Sequence, residues 1–568
     1  MDNKILLNMK VWLEKHIDTM FLCFGIVVSV SVLLIQFLSL KNNLIFSDEG
    51  WYLVLLRDIP HFGSSRFHLL FNNVFQNNIY LIRVFCWSLL LLGAIVLAQG
   101  ITSMITQSVP RKSWSVFLWA FVSVMLGQVY IHSCPSLNYI TLNIVAAEIS
   151  VGCLLLGLSQ GKWIYYLLSG VIISTLIPIM ITNAVVIPLM CMAIFLLSSS
   201  RWKDCVVFTL GISLFLLLYF TCIENPSVFF EFIQTEGSNV LARGGGQYGI
   251  MFLAKWLINA VIFLFKQLIL AVAIYAVYYF IKQHKFTYEI LNNWKMWIAI
   301  LLIISMLFLA HNFLYIKPIG NAIHEPFYQK LLGFKYIYWI LCFWLILDCF
   351  VQNKVLNYKN IILGLLFFLM PICLSFGTNV TFYVRGTTYL MFITPIIIAL
   401  SAQNTTSVKL IVFGVFLWFY ASFITNIITK TNWHGETHFG NKIPVSTIGI
   451  DQHLQLSQYD IDKLELCRKY IPKGEAVICS MENWGVISLL DYKPVTYEFD
   501  AMRLDSLTFS KLIYDKINED GYCWAISERY STYFNYRIKQ LESDNISIDS
   551  IVAGDNRYYL IKRNNPIQ

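Results

Sequence analysis

Two carboxylates stand side by side in "FSDEGWYLVLLRDIP", residues 46–60, directly after a stretch of almost pure hydrocarbon. Asp48 and Glu49 are followed by the aromatic pair Trp51 and Tyr52, and no charged side chain occurs from Met20 to Leu40. A carboxylate within hydrogen-bond reach of a hydroxyl can take its proton as that oxygen forms a new bond. Polar segments further along carry the opposite sign: Arg57, Arg66, Arg243, Lys317, Lys330 and Arg385. Arginine and lysine hold anions, arginine with two parallel hydrogen bonds. Together these residue types offer proton transfer and anion stabilisation, provided a fold brings them to one place. Each also has a plainer reading. "SDEGW" resembles a helix start with Ser47 or Asp48 as N-cap. Arg385, in "TFYVRGTTYLMF", suits an interfacial arginine reaching for headgroups. Arg243, in "LARGGGQYG", sits in a flexible loop whose glycines would let backbone approach a ligand. "YIKPIGNAIHEPFYQK" gathers Lys317, His324, Glu325 and Lys330 into one segment, either a solvated loop or the rim of a site.

The elements that must position these residues are membrane spans. The chain has 568 residues, 57% hydrophobic and only 13% charged, where a soluble domain averages about 25% charged. Apolar runs of about 18 to 25 residues recur through the first 430 or so positions, and each can cross about 30 Å of hydrocarbon. The first run is too long and too weakly marked for cleavage to be a signal peptide. The net charge of +8 is spread over short loops at alternate span ends, for example Lys4, Lys10 and Lys15, then Arg111 and Lys112, then Arg201 and Lys203. That is the positive-inside pattern rather than a nucleic-acid surface. The thirteen cysteines lie mostly in apolar runs and show no metal-type spacing.

About thirteen spans are expected on this hydropathy, near 19–40, 81–107, 113–132, 138–159, 163–177, 179–199, 205–222, 251–281, 296–315, 335–352, 360–377, 386–403 and 407–428. Pro178 and the polar "ITN" after it divide 163–199 into two short helices, because Arg201 and Lys203 then share a side with Lys162. An odd number of spans from a cytoplasmic N-terminus puts the C-terminus outside. The expected domains are therefore 1–428 in the membrane, with a first outer loop at 41–80, and a soluble α/β domain at 429–568. In that tail "EAVICS" and "GYCWAIS" read as strands, "LDSLTFSKLIYDKINED" and "YSTYFNYRIKQLES" as helices, and "SIDSIVAGDNRYYLIKR" as a hairpin. In the first loop, "GWYLVLLRDI" and "RFHLLFNNVF" have apolar residues at helical spacing, so each is expected to lie along the membrane surface.

This plan resembles the GT-C superfamily of membrane glycosyltransferases, in particular the branch of protein O-mannosyltransferases and lipid A aminoarabinose transferases. The resemblance rests on the cytoplasmic N-terminus, one span, a long first outer loop opening with "SDEGWY", about thirteen spans in all, and an outer α/β tail. It implies sugar transfer on the outer face of the membrane from a polyprenyl-phosphate-linked donor to a protein, lipid or glycan acceptor. The enzyme would be a hexosyl- or pentosyl-transferase. The first-loop acid of that family maps onto Asp48, with Glu49 its neighbour, as the base for the acceptor hydroxyl. Arg243, Arg385, Lys317, Lys330 and Arg57 become candidates for the donor phosphate. Trp51, Tyr52, His324 and Tyr383 become candidates for the sugar and acceptor rim. Single-step displacement would invert the anomeric carbon. Many relatives carry a further acid in the second outer loop, whereas "IHSCPSLNYI" offers only His132, Ser136 and Asn138.

No metal site is assigned, and a divalent-metal requirement stays open. His434, Glu436 and His438 are zinc-type ligands whose spacing matches no strong motif. Two other classes compete with a transferase. A flippase or transporter of lipid-linked glycans would carry charges buried mid-span, and Glu148, Lys255, Lys266 and Asp348 are the residues to watch. A polysaccharide polymerase or ligase would carry its large outer loop late in the chain. The expected location is a bacterial inner membrane. Asn379-Val-Thr and Asn545-Ile-Ser keep the endoplasmic reticulum open, as they would be sequons in its lumen.

Overall fold

The computed structural model describes residues 3–42, 44, 48–58, 75, 78–106, 113–129, 139–231, 234, 250–283, 326–351, 358–376, 386–393, 396–397, 400, 441–496, 506–528, 531–543, 545–553 and 556–564. Among these, six helices are long and apolar enough to cross a membrane. They lie within α1 (Asn3–Ser39), α3 (Ile79–Thr106), α5 (Tyr139–Gln160), α8 (Arg201–Leu218, running into a π turn), α9 (Ile250–Gln283) and α11 (Tyr358–Ser375). Between α1 and α3 lies α2 (Asp48–Asp58). Shorter apolar helices are α4 (Ser113–Val129), α6 (Trp163–Ile173) and α7 (Val186–Leu197), and α10 spans Pro326–Val351. The spans expected at 296–315 and 407–428 lie outside the described residues.

The expected break near Pro178 is present. α6 ends at Ile173, a single turn covers Leu176–Ile179, and a 3-10 turn at Ile181–Val185 leads into α7. Two expectations differ. α10 starts at Pro326, nine residues before the hydrophobic run predicts; proline's fixed φ and missing N–H suit the first helical position. The segment expected as a span from 386 opens as a 3-10 turn, Gly386–Phe392, with Tyr389 outside helical geometry. Its leading glycine and two β-branched threonines are weak helix formers.

The bundle packs through small residues, as membrane helices do where lipid supplies no hydrophobic drive. A Cβ on Gly152 of α5 would lie 2.6 Å from the Val96 carbonyl of α3, and one on Gly100 would lie 2.7 Å from the Gly152 carbonyl oxygen. Charges inside spans bond to neighbouring helices. Gln128 Nε2 donates to Glu148 Oε2 at 2.6 Å, and the missing side chain of Gly93 makes room for that carboxylate. Tyr275 hydroxyl donates to Asp348 Oδ1 at 3.3 Å.

The tail holds β1 (Ile443–Pro444), β2 (Gln455–Leu456), α12 (Gln458–Tyr470), β3 (Ala476–Cys479), α13 (Trp484–Leu489), β4 (Lys493–Pro494), α14 (Ser506–Asp520), β5 (Tyr522–Glu528), α15 (Thr532–Lys539), β6 (Ile546–Ala553) and β7 (Asn556–Arg563). Strands β3 to β7 form one sheet in the order β4-β3-β5-β7-β6. β3 runs parallel to β4 and β5, which need crossovers, while β7 is antiparallel to both β5 and β6. Every strand and helix expected in the tail coincides with one of these elements. α12, capped where the Ser457 hydroxyl accepts from Asp460 N–H, and α13 carry no such expectation.

The sheet has two unlike faces. One is covered by α14 and α15 through Phe509, Ile513, Phe534 and Ile538. The other shares a single apolar core with the first loop and the nearby bundle ends. Val477, Cys479, Trp484 and Ile487 pack there with Leu53, Val54, Ile79, Ile82, Leu142 and Ile179. The boundary expected at residue 428 lies outside the described residues.

Candidate functional site

The acid pair opens α2. Asp48 is its first residue and Glu49 its second, in agreement with the helix start read in "SDEGW". The helix does not leave one apolar side open for lipid as expected. Tyr52, Leu53, Val54 and Leu55 are consecutive and all buried, so apolar contact surrounds the helix rather than marking one side. The tail supplies the second apolar surface that a hydropathy reading of loop one lacks. The other surface-helix segment, "RFHLLFNNVF", lies outside the described residues apart from Phe75, which packs against this same core.

Glu49 is 3% exposed and Arg83, in the second turn of α3, only 1%. Arg83 Nε donates to Glu49 Oε1 at 2.8 Å and Nη2 to Oε2 at 2.7 Å, a two-pronged ion pair. Nη1 donates to the Leu40 carbonyl at 2.9 Å and to the Asn42 carbonyl at 3.4 Å. A buried charge is costly unless paired and hydrogen-bonded, and here both conditions are met. Arg83 thereby ties the end of α1, the start of α3 and the acid-bearing helix into one corner. Sequence reasoning missed Arg83 because it lies inside an expected span. The signal was available: an arginine in an apolar span needs a partner, and the acids of the first loop, Asp48, Glu49 and Asp58, are the nearest in the chain.

Arg57, at the other end of α2, faces the tail. Its Nε and Nη2 donate to Asp58 at 2.6 and 2.8 Å. Nη2 also donates to the Tyr492 carbonyl at 2.7 Å, and Nη1 reaches Asp491 Oδ1 at 3.1 Å and the Ile487 carbonyl at 3.4 Å. Expected among the phosphate ligands, Arg57 instead has its donors engaged at a seam between loop one and tail. Asp491 holds a φ of 58°, left-handed backbone in which aspartate is tolerated better than most residues. Trp51 is half-buried, with its ring 5.0 Å from that of Tyr52, and both belong to the apolar surroundings of α2.

Lys330 lies in the opening turns of α10. Arg243, Lys317, His324, Tyr383 and Arg385 lie outside the described residues, as do His132, Ser136, His434, Glu436 and His438. The structure thus brings together Asp48, Glu49, Trp51, Tyr52 and Arg57 on one helix, adds Arg83, and seats them where the bundle meets the tail. That arrangement can hold a carboxylate-bearing helix at a fixed place and height.

No family model matches the sequence, and no curated protein matches it. Among solved structures, the chain is similar to the archaeal oligosaccharyltransferase AglB from Archaeoglobus fulgidus in complex with an inhibitory peptide and a dolichol-phosphate. The identity is 14% and the TM-score 0.44, over 91% of this chain and 70% of that one. It is also similar to the Archaeoglobus fulgidus oligosaccharyltransferase in complex with Zn and sulfate, at 13% identity and a TM-score of 0.42, over 88% of this chain and 68% of that one.

Proposed function

We propose that this protein is a membrane glycosyltransferase that moves a sugar from a polyprenyl-phosphate-linked donor to a hydroxyl of a protein, lipid or glycan acceptor on the outer face of the membrane. The observation that carries the reading is the buried Glu49–Arg83 pair, which fixes the helix opened by Asp48 where the bundle meets the tail. The helix that opens with Asp48 is thereby held, at its next residue, by a desolvated ion pair. A base must be held to well under an ångström or so of its working position, because misplacement by about 1 Å can cost 100-fold in rate.

In this reading Asp48 accepts the acceptor hydroxyl's proton as the hydroxyl oxygen bonds to the anomeric carbon. The bond from that carbon to the lipid phosphate breaks in the same step, and the anomeric configuration inverts. Arg243, Arg385, Lys317 and Lys330 are the cations proposed to take up charge on the departing phosphate. Glu49 and Arg83 position the acid, Arg57 holds the tail side of the same helix, and Trp51 and Tyr52 shape its surroundings. The membrane portion is taken as about residues 1–428 and the outer α/β portion as the remainder.

Asp48→Asn removes the base while nearly preserving volume. In membranes supplied with a polyprenyl-phosphate sugar, this variant should insert normally and transfer sugar at least about 100-fold more slowly. Transfer at the unaltered rate would remove Asp48 from the role of base.

A further inference from the structure

We infer that α13 and the turn after it are the positioning element for the acid-bearing helix, so that the tail is a fixed back-plate and not a lid that swings. The catalytic part of this inference rests on the assignment of Asp48 above. α2 is gripped from two sides. Arg83 holds Glu49 from the bundle side through the two-pronged pair at 2.7 and 2.8 Å. From the tail side, backbone meets backbone at Gly50. A Cβ there would lie 2.6 Å from both Gly485 Cα and the Trp484 carbonyl carbon, closer than any side chain could be accommodated. One residue separates Gly50 from Asp48, so the tightest contact in the seam lies beside the proposed base.

Arg57 closes the far end of the same helix onto Asp491, Ile487 and Tyr492 of the tail. Two further bonds lock the flanks of the loop. Gln455 N–H donates to the Lys41 carbonyl at 2.7 Å, with Asn42 and Gln455 forming a parallel bridge. Ile79 N–H, at the start of α3, donates to Gln452 Oε1 at 3.1 Å. The tail therefore touches the end of α1, both ends of α2 and the start of α3, and a continuous apolar core lies beneath these contacts. A moving lid would have to break all of them together. A back-plate needs them all closed.

Hydrogen exchange in the full-length protein, without sugar donor, reads the seam directly. Arg57→Ala and Asp491→Gly each remove the guanidinium–carboxylate contact, and glycine retains the positive φ of Asp491. Both should raise amide exchange across 50–58 by at least about tenfold, since local opening sets exchange. Both should lower kcat by about tenfold with little change in KM for donor, the signature of a displaced base rather than lost binding. Asp491→Asn, which can still accept from Arg57, should restore most of both.

Neighbours in a β-bridge lie about 5 Å apart, within disulfide range. Asn42→Cys with Gln455→Cys, oxidised, should therefore leave transfer at its normal rate and should rescue Arg57→Ala. Unchanged exchange in both Arg57→Ala and Asp491→Gly overturns the inference. So does a closed disulfide that stops transfer, because the seam would then have to open. The exchange result does not depend on sugar transfer, so failure of the Asp48 assignment leaves it standing as a separate finding.

Discussion

Arg83 is the residue on which the corner depends. Removing one member of a buried ion pair strands the other, at a cost of about 3–5 kcal/mol, whereas replacing both with well-packed apolar residues is often nearly neutral. Arg83→Ala should therefore lower the melting temperature in detergent sharply, and Arg83→Met combined with Glu49→Leu should recover most of the loss. Arg83→Lys should not, because an ammonium cannot grip both carboxylate oxygens and the Leu40 carbonyl together. If Arg83→Ala melts like the unaltered protein, the pair does not hold α2. Asp48 and Glu49 were legible as a pair from sequence, but the pairing of Glu49 with Arg83 was not. Glu49 acquires its partner from a helix 34 positions along the chain.

Elements in this protein are held by close approach in the bundle and by burial in the sheet. α3 and α5 meet through Gly100 and Gly152, where an added methyl must push backbone apart. Overpacking of this kind costs about 1–3 kcal/mol, so Gly152→Ala should lower thermal stability by that amount, while Gly364→Ala, facing open space, should not. In the tail, β5 carries Cys523 into the core, and burial pushes its thiol up to about 12 from 9.0. The folded tail therefore retains this proton over a range where the unfolded chain loses it. Its stabilising effect is complete below about pH 9 and is lost as pH rises from there toward about 12. Maleimide reactivity of Cys523 should stay blocked at pH 8 and appear together with unfolding of the sheet above pH 9. Reaction at pH 8 in folded protein would show that β5 is not buried as described.

On the scale of the whole molecule, the tail and the loop-one end of the bundle share one packed core. In the proposed orientation, with basic loops facing the cytoplasm, that side is outside. Lys511, exposed on α14, tests this: Lys511→Cys in intact cells should react with a membrane-impermeant maleimide, whereas reaction only after permeabilisation would invert the orientation. The shared core also explains why the tail is not an appendage. Its sheet buries one face under α14 and α15 and the other against the first loop.

The six long apolar helices and the tail strands were readable because their causes are local. A helix crosses hydrocarbon when about 20 consecutive residues are apolar, and strands and turns announce themselves within a few residues. The break at Pro178 and the helix start at "SDEGW" belong to the same class. The protein cover on α2 was not readable, for the opposite reason. An apolar helix looks the same in sequence whether lipid or protein covers it, and the cover here is a tail segment 434 residues from Arg57. Hydropathy fixes which residues leave water. Only packing decides what they meet, and so which of two adjacent acids is tied down beside the other.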